Sequence, residues 1–137
     1  MKKTKNTGQS LVEFAITFPL FLLLVMGIFD LGRGIYYYSV IHNAARESAR
    51  YGAVNQCDTV GIKNAAKFLA VGLGDALVVK EPTKYFNLDG RPDRIVVTVE
   101  YTFRTVTPLV GTFLGEDGAI KLESQARQLI EQNIICP

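Results

Sequence analysis

Glu13 is the residue of this chain whose chemistry most needs explaining. It is the single charged side chain in GQSLVEFAITFPLFLLLVMGIF, the stretch from Gly8 to Phe29. A carboxylate in such a run costs on the order of 2.5–3.5 kcal/mol at the centre of a membrane and less near its edge. Two accounts of it stand. In one, Glu13 lies within a turn of the interface and reaches out to water. In the other, Gly8 matters as well. Counted from Gln9, Glu13 is the fifth residue. Cleavage between Gly8 and Gln9 would create an α-ammonium group one helical turn before the carboxylate, where the two charges neutralise each other at i, i+4. In a helical assembly the same carboxylate would instead meet the amine of a neighbouring subunit. Either pairing removes an isolated charge from hydrocarbon.

Other reactive side chains are sparse. His42 is the only histidine, and it lies on or near the apolar stripe of a helix, where a structural role is the plainer reading. No nucleophile-elbow pattern accompanies it. Gly72-Leu73-Gly74 is too short for a dinucleotide fingerprint. No pair of acids is marked out for glycosidic chemistry, and no His, Cys or carboxylate spacing suggests a metal. The sequence therefore reads as non-enzymatic, with no cofactor and no metal. Cys57 and Cys136 are the two cysteines, and neither falls in a CxxC spacing. Outside the membrane a disulfide between them is allowed and would tie the tail to the end of the first helix. Closing a loop of about eighty residues contributes roughly 4 kcal/mol in the chain-entropy account. Two separate thiols are the alternative. Fifteen basic residues against thirteen acidic ones give a net charge of +2, which makes no electrostatic case for nucleic acid.

The element that positions Glu13 is the apolar run itself. At about 1.5 Å per residue, a helix from Gln9 to Phe29 covers roughly 30 Å, one bilayer core. A cleaved secretory signal has a shorter apolar part and a small-residue site after it; Asp30-Leu31-Gly32-Arg33 does not look like such a site. A buried core helix would leave the preceding Lys2, Lys3 and Lys5 a coincidence. A plain signal anchor explains the lysines and the length but not the acid. Basic residues before a first membrane helix stay cytoplasmic, so the expected orientation is N-terminus in, C-terminal domain out. Pro19 should kink or loosen the helix, since it lacks an N–H and clashes with the preceding turn. It is either a harmless bend or a joint that lets the helix curve into a bundle.

This arrangement resembles the leader of type IV prepilins: a short basic segment, a glycine before the cut, Glu at the fifth mature position, then an apolar helix. Gly8 followed by QSLVEF, with Phe14 after the acid and Gln9 in place of an aromatic first residue, looks like the Tad (tight adherence, Flp pilus) branch. The further run EFAITFPLFLLLVMGIFDLGR and NAARESARYGA is similar to TadE-like pseudopilins. The resemblance is specific from about Gly8 to Ala53 and only architectural beyond. It implies a minor pilin or pseudopilin, a structural subunit of a Tad-type pilus or related secretion machine, matured by a prepilin peptidase between Gly8 and Gln9. Its implied partners are that peptidase, other pilin or pseudopilin subunits, the pilus assembly machinery and membrane lipid. The implied place is the cytoplasmic membrane, crossed once, or a surface pilus. Major Tad pilins have little beyond the helix, so a chain with a folded outer domain fits a minor component. An uncleaved, signal-anchored extracytoplasmic binding module is the alternative.

The expected organisation is a leader over 1–8, a transmembrane helix over 9–30 and an extracytoplasmic α+β domain over 31–137. Past Phe29 the pattern becomes amphipathic without a break. Leu31, Ile35, Tyr38, Ile41, Ala45 and Ala49 form one stripe, so a single helix is predicted from about Ser10 to Tyr51, ended by Gly52. Tyr36, Tyr37 and Tyr38 fall where an aromatic belt would lie, and Asp30 with Arg33 is an i, i+3 pair. Ala44, Ala45, Ser48 and Ala49 make a small-residue face for the protein's own sheet or for another subunit. Asp58 or Thr59 would cap a second helix through Ile62, Ala65, Ala66, Leu69 and Leu73, closed by Gly72 or Gly74. Strands are predicted at Ala76–Val79, over Ile95, Val97, Val99, Tyr101 and Phe103, and over Ile120, Leu122, Ser124 and Ala126. Asn87 to Pro92 reads as a turn, and Thr107-Pro108 as the opening of a helical turn through Leu109, Phe113 and Leu114. The fold class is α+β: a long N-terminal helix, half transmembrane and half amphipathic, packed with a second helix on a small antiparallel sheet, in the manner of a pilin.

Overall fold

The computed structural model describes residues 7–107 and 118–130. Most of the basic leader, the expected turn through Leu109, Phe113 and Leu114, and Cys136 lie outside them. The described chain runs helix α1 (Thr7–Val54), helix α2 (Thr59–Leu69), a 3-10 turn (Gly74–Ala76), and strands β1 (Leu77–Val79), β2 (Thr83–Phe86), β3 (Pro92–Arg104) and β4 (Ala119–Leu129). This is the expected α+β class.

At 48 residues, α1 passes through Pro19 and across the change from apolar to amphipathic sequence without interruption. Its apolar stretch is long and apolar enough to cross a membrane, and none of that stretch is buried inside the molecule. A core helix would be covered. The C-terminal half packs against β3 and β4, which run antiparallel to each other with Val97 opposite Ala126 and Phe103 opposite Ile120. On its other side β3 pairs with β1 (Leu77 opposite Tyr101) and β2 (Thr83 opposite Val96), both antiparallel. The long β3 thus carries the whole four-stranded sheet. Alternation along it turns Ile95, Val97, Val99 and Phe103 onto α1, all fully or nearly buried, while β4 contributes Ser124 and Ala126 to the same layer.

The small-residue face of α1 meets this sheet and α2. Ala44, Ala45, Ser48 and Ala49 are almost wholly buried, and Ser48 Oγ donates to the carbonyl of Ile62. Two features of α1 differ from expectation. First, the buried face is rotated: Ile41, Ala45 and Ala49 are in the core, but Leu31, Ile35 and Tyr38 are exposed. At 3.6 residues per turn these three lie roughly 60–120° round the helix from Ile41, whereas Asp30, Gly34 and Tyr37 lie within about 40° of it. Three- and four-residue spacings allow either track, and the sheet selects the second. Second, Gly52 does not end the helix. A Cβ there would lie 2.8 Å from Ile95 Cδ1 and 3.2 Å from Ile62 Cδ1, so its missing side chain is what lets α1 lie against β3 and α2. Gly52→Val is expected to lower stability by about 1–3 kcal/mol through overpacking, read from the denaturation midpoint of the full chain in detergent.

Asp58 caps α2. Its Oδ1 accepts from the Gly61 N–H at 2.8 Å and its Oδ2 from the Tyr51 hydroxyl at 2.9 Å. The Gly61 bond first, then the Tyr51 bond, hold the carboxyl below its ordinary value of 3.8 against the opposing effect of desolvation. Because the folded value is depressed, this contribution is present above the unfolded value and lost as pH falls through the folded one. Asp58→Asn keeps a capping oxygen without the titration. Its denaturation midpoint should therefore fall less steeply than that of the wild type when both are acidified below the ordinary carboxylate range. Parallel acid profiles would refute the assignment. α2 itself stops at Leu69, before Gly72 and Gly74, whose positive φ of 96° and 57° turn the chain so that Leu73 re-enters the core.

Candidate functional site

The N-terminal turns of α1 hold the residues singled out by their spacing. Gly8, Gln9 and Glu13 are helical and exposed, with Gln9 and Glu13 one turn apart on the same face. Nothing lies within 4 Å of the position a Cβ on Gly8 would take. The fold therefore gives no reason for glycine there, in contrast to Gly52. Glu13 has no hydrogen bond or ion pair with any other described residue. Phe14 stacks on Phe18 with ring centroids 5.2 Å apart, and beyond them the outward side chains are apolar up to Phe29.

A second cluster marks the point where α1 leaves the apolar run and meets the sheet. Asp30 is 3% exposed. Its Oδ1 and Oδ2 accept from the Val106 N–H at 3.0 and 3.1 Å, and Oδ2 accepts from the Thr107 N–H at 2.7 Å. The end of β3 is thereby clamped to the helix by a carboxylate that satisfies two backbone donors at once. Arg33 stands 3.6 Å from Asp30, the expected i, i+3 pair. Its guanidinium also lies 5.4 Å from the Phe103 ring centre and 5.8 Å from that of Tyr37, within cation–π range. Tyr37 packs on Tyr101 and Phe103 at 5.0 and 5.6 Å, so of the three tyrosines only Tyr36 and Tyr38 face outward. The pairing of Asp30 with Arg33 was legible; the clamp was not, because its donors lie 76 and 77 residues further along the chain.

His42 Nδ1 lies 3.3 Å from Ser124 Oγ on β4, and its ring stacks on Tyr38. The pair fastens helix to sheet. Cys57 is exposed in the turn between α1 and α2. Among the described residues no group of three or more His, Cys, Asp or Glu could hold a metal ion.

The architecture is that of a domain carried on one helix able to cross a membrane, with the carrying helix also forming one layer of the domain. Residues 8–50 match the family model described as TadE-like protein. The matched segment opens at Gly8 and covers Glu13, the apolar run and the Asp30–Arg33 junction. This is the family that the N-terminal residues resemble, and the match covers about a third of the chain. No curated protein and no solved structure matches the chain.

Proposed function

We propose that the protein is a minor pilin or pseudopilin, a non-enzymatic structural subunit of a Tad-type pilus or related secretion machine. The observation that carries this reading is the family match starting at Gly8, a glycine with nothing within 4 Å of where its Cβ would lie among the described residues, five residues before an acid with no partner among the described residues. A prepilin peptidase cuts between Gly8 and Gln9, and Gly8 serves because its missing side chain lets the backbone enter the peptidase site. The new α-amine of Gln9, in the same or a neighbouring subunit, pairs with Glu13. Lys2, Lys3 and Lys5 hold the N-terminus in the cytoplasm, so the domain beyond Asp30 lies outside. The partners are the peptidase, other pilin-like subunits, the assembly machinery and lipid. Pro19 is a joint at which the helix curves into a bundle. A Cys57–Cys136 disulfide, permitted outside the cytoplasm, ties the tail to the α1–α2 turn.

The N-terminal mass of the membrane-extracted protein, expressed with and without a prepilin peptidase, tests this. A start at Gln9 that depends on the peptidase is expected, and Gly8→Leu should leave the leader attached while the domain folds normally. An intact Met1-Lys2-Lys3 terminus in cells with an active peptidase would overturn the proposal in favour of an uncleaved, anchored binding module.

A further inference from the structure

The rotated stripe leaves Leu31, Ile35 and Tyr38 facing away from the core, and together with the membrane-end of the sheet they form a groove. Its volume is about 490 Å³, and its walls are Leu31, Ile35 and Tyr38 from α1 and Phe103, Ile120 and Leu122 from β3 and β4. Two polar residues also line it, Asp30 and Thr105, but neither offers a group to a ligand. The Asp30 carboxylate is taken up by the Val106 and Thr107 amides. The Thr105 hydroxyl is within hydrogen-bond distance of the carbonyl oxygens of Thr107 and Gly118. What remains is an apolar trough without a charge to recognise a polar partner.

The trough does not begin in the domain. Gly27, inside the apolar run, lines its lower end, and Leu24 and Ile28 just below are exposed like Leu31 and Ile35. From Leu11 to Tyr38 the helix rises about 40 Å, roughly 10 Å more than a hydrocarbon core. The excess is confined to one flank, since Asp30 and Arg33 end the apolar surface on the other. An apolar face longer than the core is thick is accommodated by tilting, kinking or locally thickening the bilayer, and an excess on one flank favours tilt toward that flank. Such a tilt lowers the groove to the level of the upper acyl chains and glycerol backbones. The exposed Tyr36 and Tyr38 then sit among the headgroups, where tyrosine is favoured.

We propose that this groove is a lipid-docking surface, filled by acyl chains of outer-leaflet phospholipids, so that the domain leans on the membrane instead of standing clear of it. The inference rests on the membrane-spanning reading of α1, and the test separates the two. The chain has no tryptophan, so a single one reports its own surroundings. The full-length protein carrying Ile35→Trp, Ile120→Trp, Leu24→Trp or Phe68→Trp is reconstituted into phosphatidylcholine vesicles with or without bromine on the acyl chains near the glycerol. Ile35 and Phe68 are 60% and 78% exposed, so a larger ring at either place leaves the core intact. Ile35→Trp and Ile120→Trp are expected to lose emission in brominated vesicles about as strongly as Leu24→Trp, with Phe68→Trp on the distant α2 unchanged. Quenching at Leu24→Trp alone overturns the proposal and spares the membrane span. Absence of quenching at Leu24→Trp as well overturns both. Emission from Ile35→Trp that ignores bromine but shifts to the blue as protein is crowded in the bilayer would show a second copy in the groove, which also overturns it.

Discussion

Glu13→Ala is expected to abolish incorporation of the subunit into the assembled structure while the processed protein accumulates in the membrane with its outer domain folded. The carboxylate is exposed on an apolar helix and has no partner among the described residues. A charge so placed is costly alone and favourable when a mature α-amine of a neighbouring helix meets it. Removing it leaves that amine unpaired in hydrocarbon. The mid-membrane cost of about 2.5–3.5 kcal/mol is the upper bound for a charge this near the end of the span, so each subunit-addition equilibrium falls by up to roughly a hundredfold. Glu13→Gln keeps an acceptor without the charge, so it should fall nearer to alanine than to wild type. The measurement is the ratio of subunit in the sheared surface fraction to that in the membrane fraction, with the N-terminal mass taken in parallel to separate failed processing from failed assembly. Wild-type levels of Glu13→Ala in the surface fraction would refute charge pairing and favour the account in which Glu13 reaches out to the interface.

Gly8 and Glu13 stand out in the sequence because the pattern that marks them is local: a glycine, an acid five residues on, and an apolar run long enough to cross a bilayer; their roles in processing and pairing belong to the proposal. The long helix was legible for the same reason, and β3 and β4 because alternation over residues 95–103 and 120–127 sets a period of two. β2 was missed. Thr83–Phe86 is four residues long and mostly exposed, so no buried face imposes a pattern on it, and its place is set by pairing with β3. The register of α1 against the sheet was read on the wrong flank at Leu31, Ile35 and Tyr38, where apolar residues occupy both tracks and only the tertiary contact decides. Gly52 misled in another way. Glycine after a helical pattern signals a stop, but here it marks the closest approach of helix to sheet, a fact carried by Ile95 and Ile62 rather than by its neighbours in sequence.

The domain is joined to its helix by a contact that can be removed with one substitution. In Asp30→Ala, the Val106 and Thr107 N–H groups lose the acceptor that each reaches at 3.0 Å and 2.7 Å, and no other described side chain replaces it. The Thr107 bond is buried and the Val106 bonds are partly buried, so the Thr107 N–H in particular is not resolvated freely, and Arg33 keeps only the faces of Phe103 and Tyr37. Leaving a buried donor without its acceptor costs about 1–3 kcal/mol where water cannot reach it. A net fall of about 3 kcal/mol in stability is expected, measured by denaturation of the full chain in detergent. Asp30→Asn retains one carbonyl oxygen as acceptor and should lie between. The amides of Val106 and Thr107 should also exchange with solvent faster than those of Val97 and Val99 in the centre of β3, because the loss is confined to the membrane-end of the sheet. Uniform acceleration along β3 would mean that Asp30 supports the whole fold. Selective acceleration at its end would mean that the carboxylate is a joint, fixing the angle between the apolar part of the helix and the domain that the helix carries.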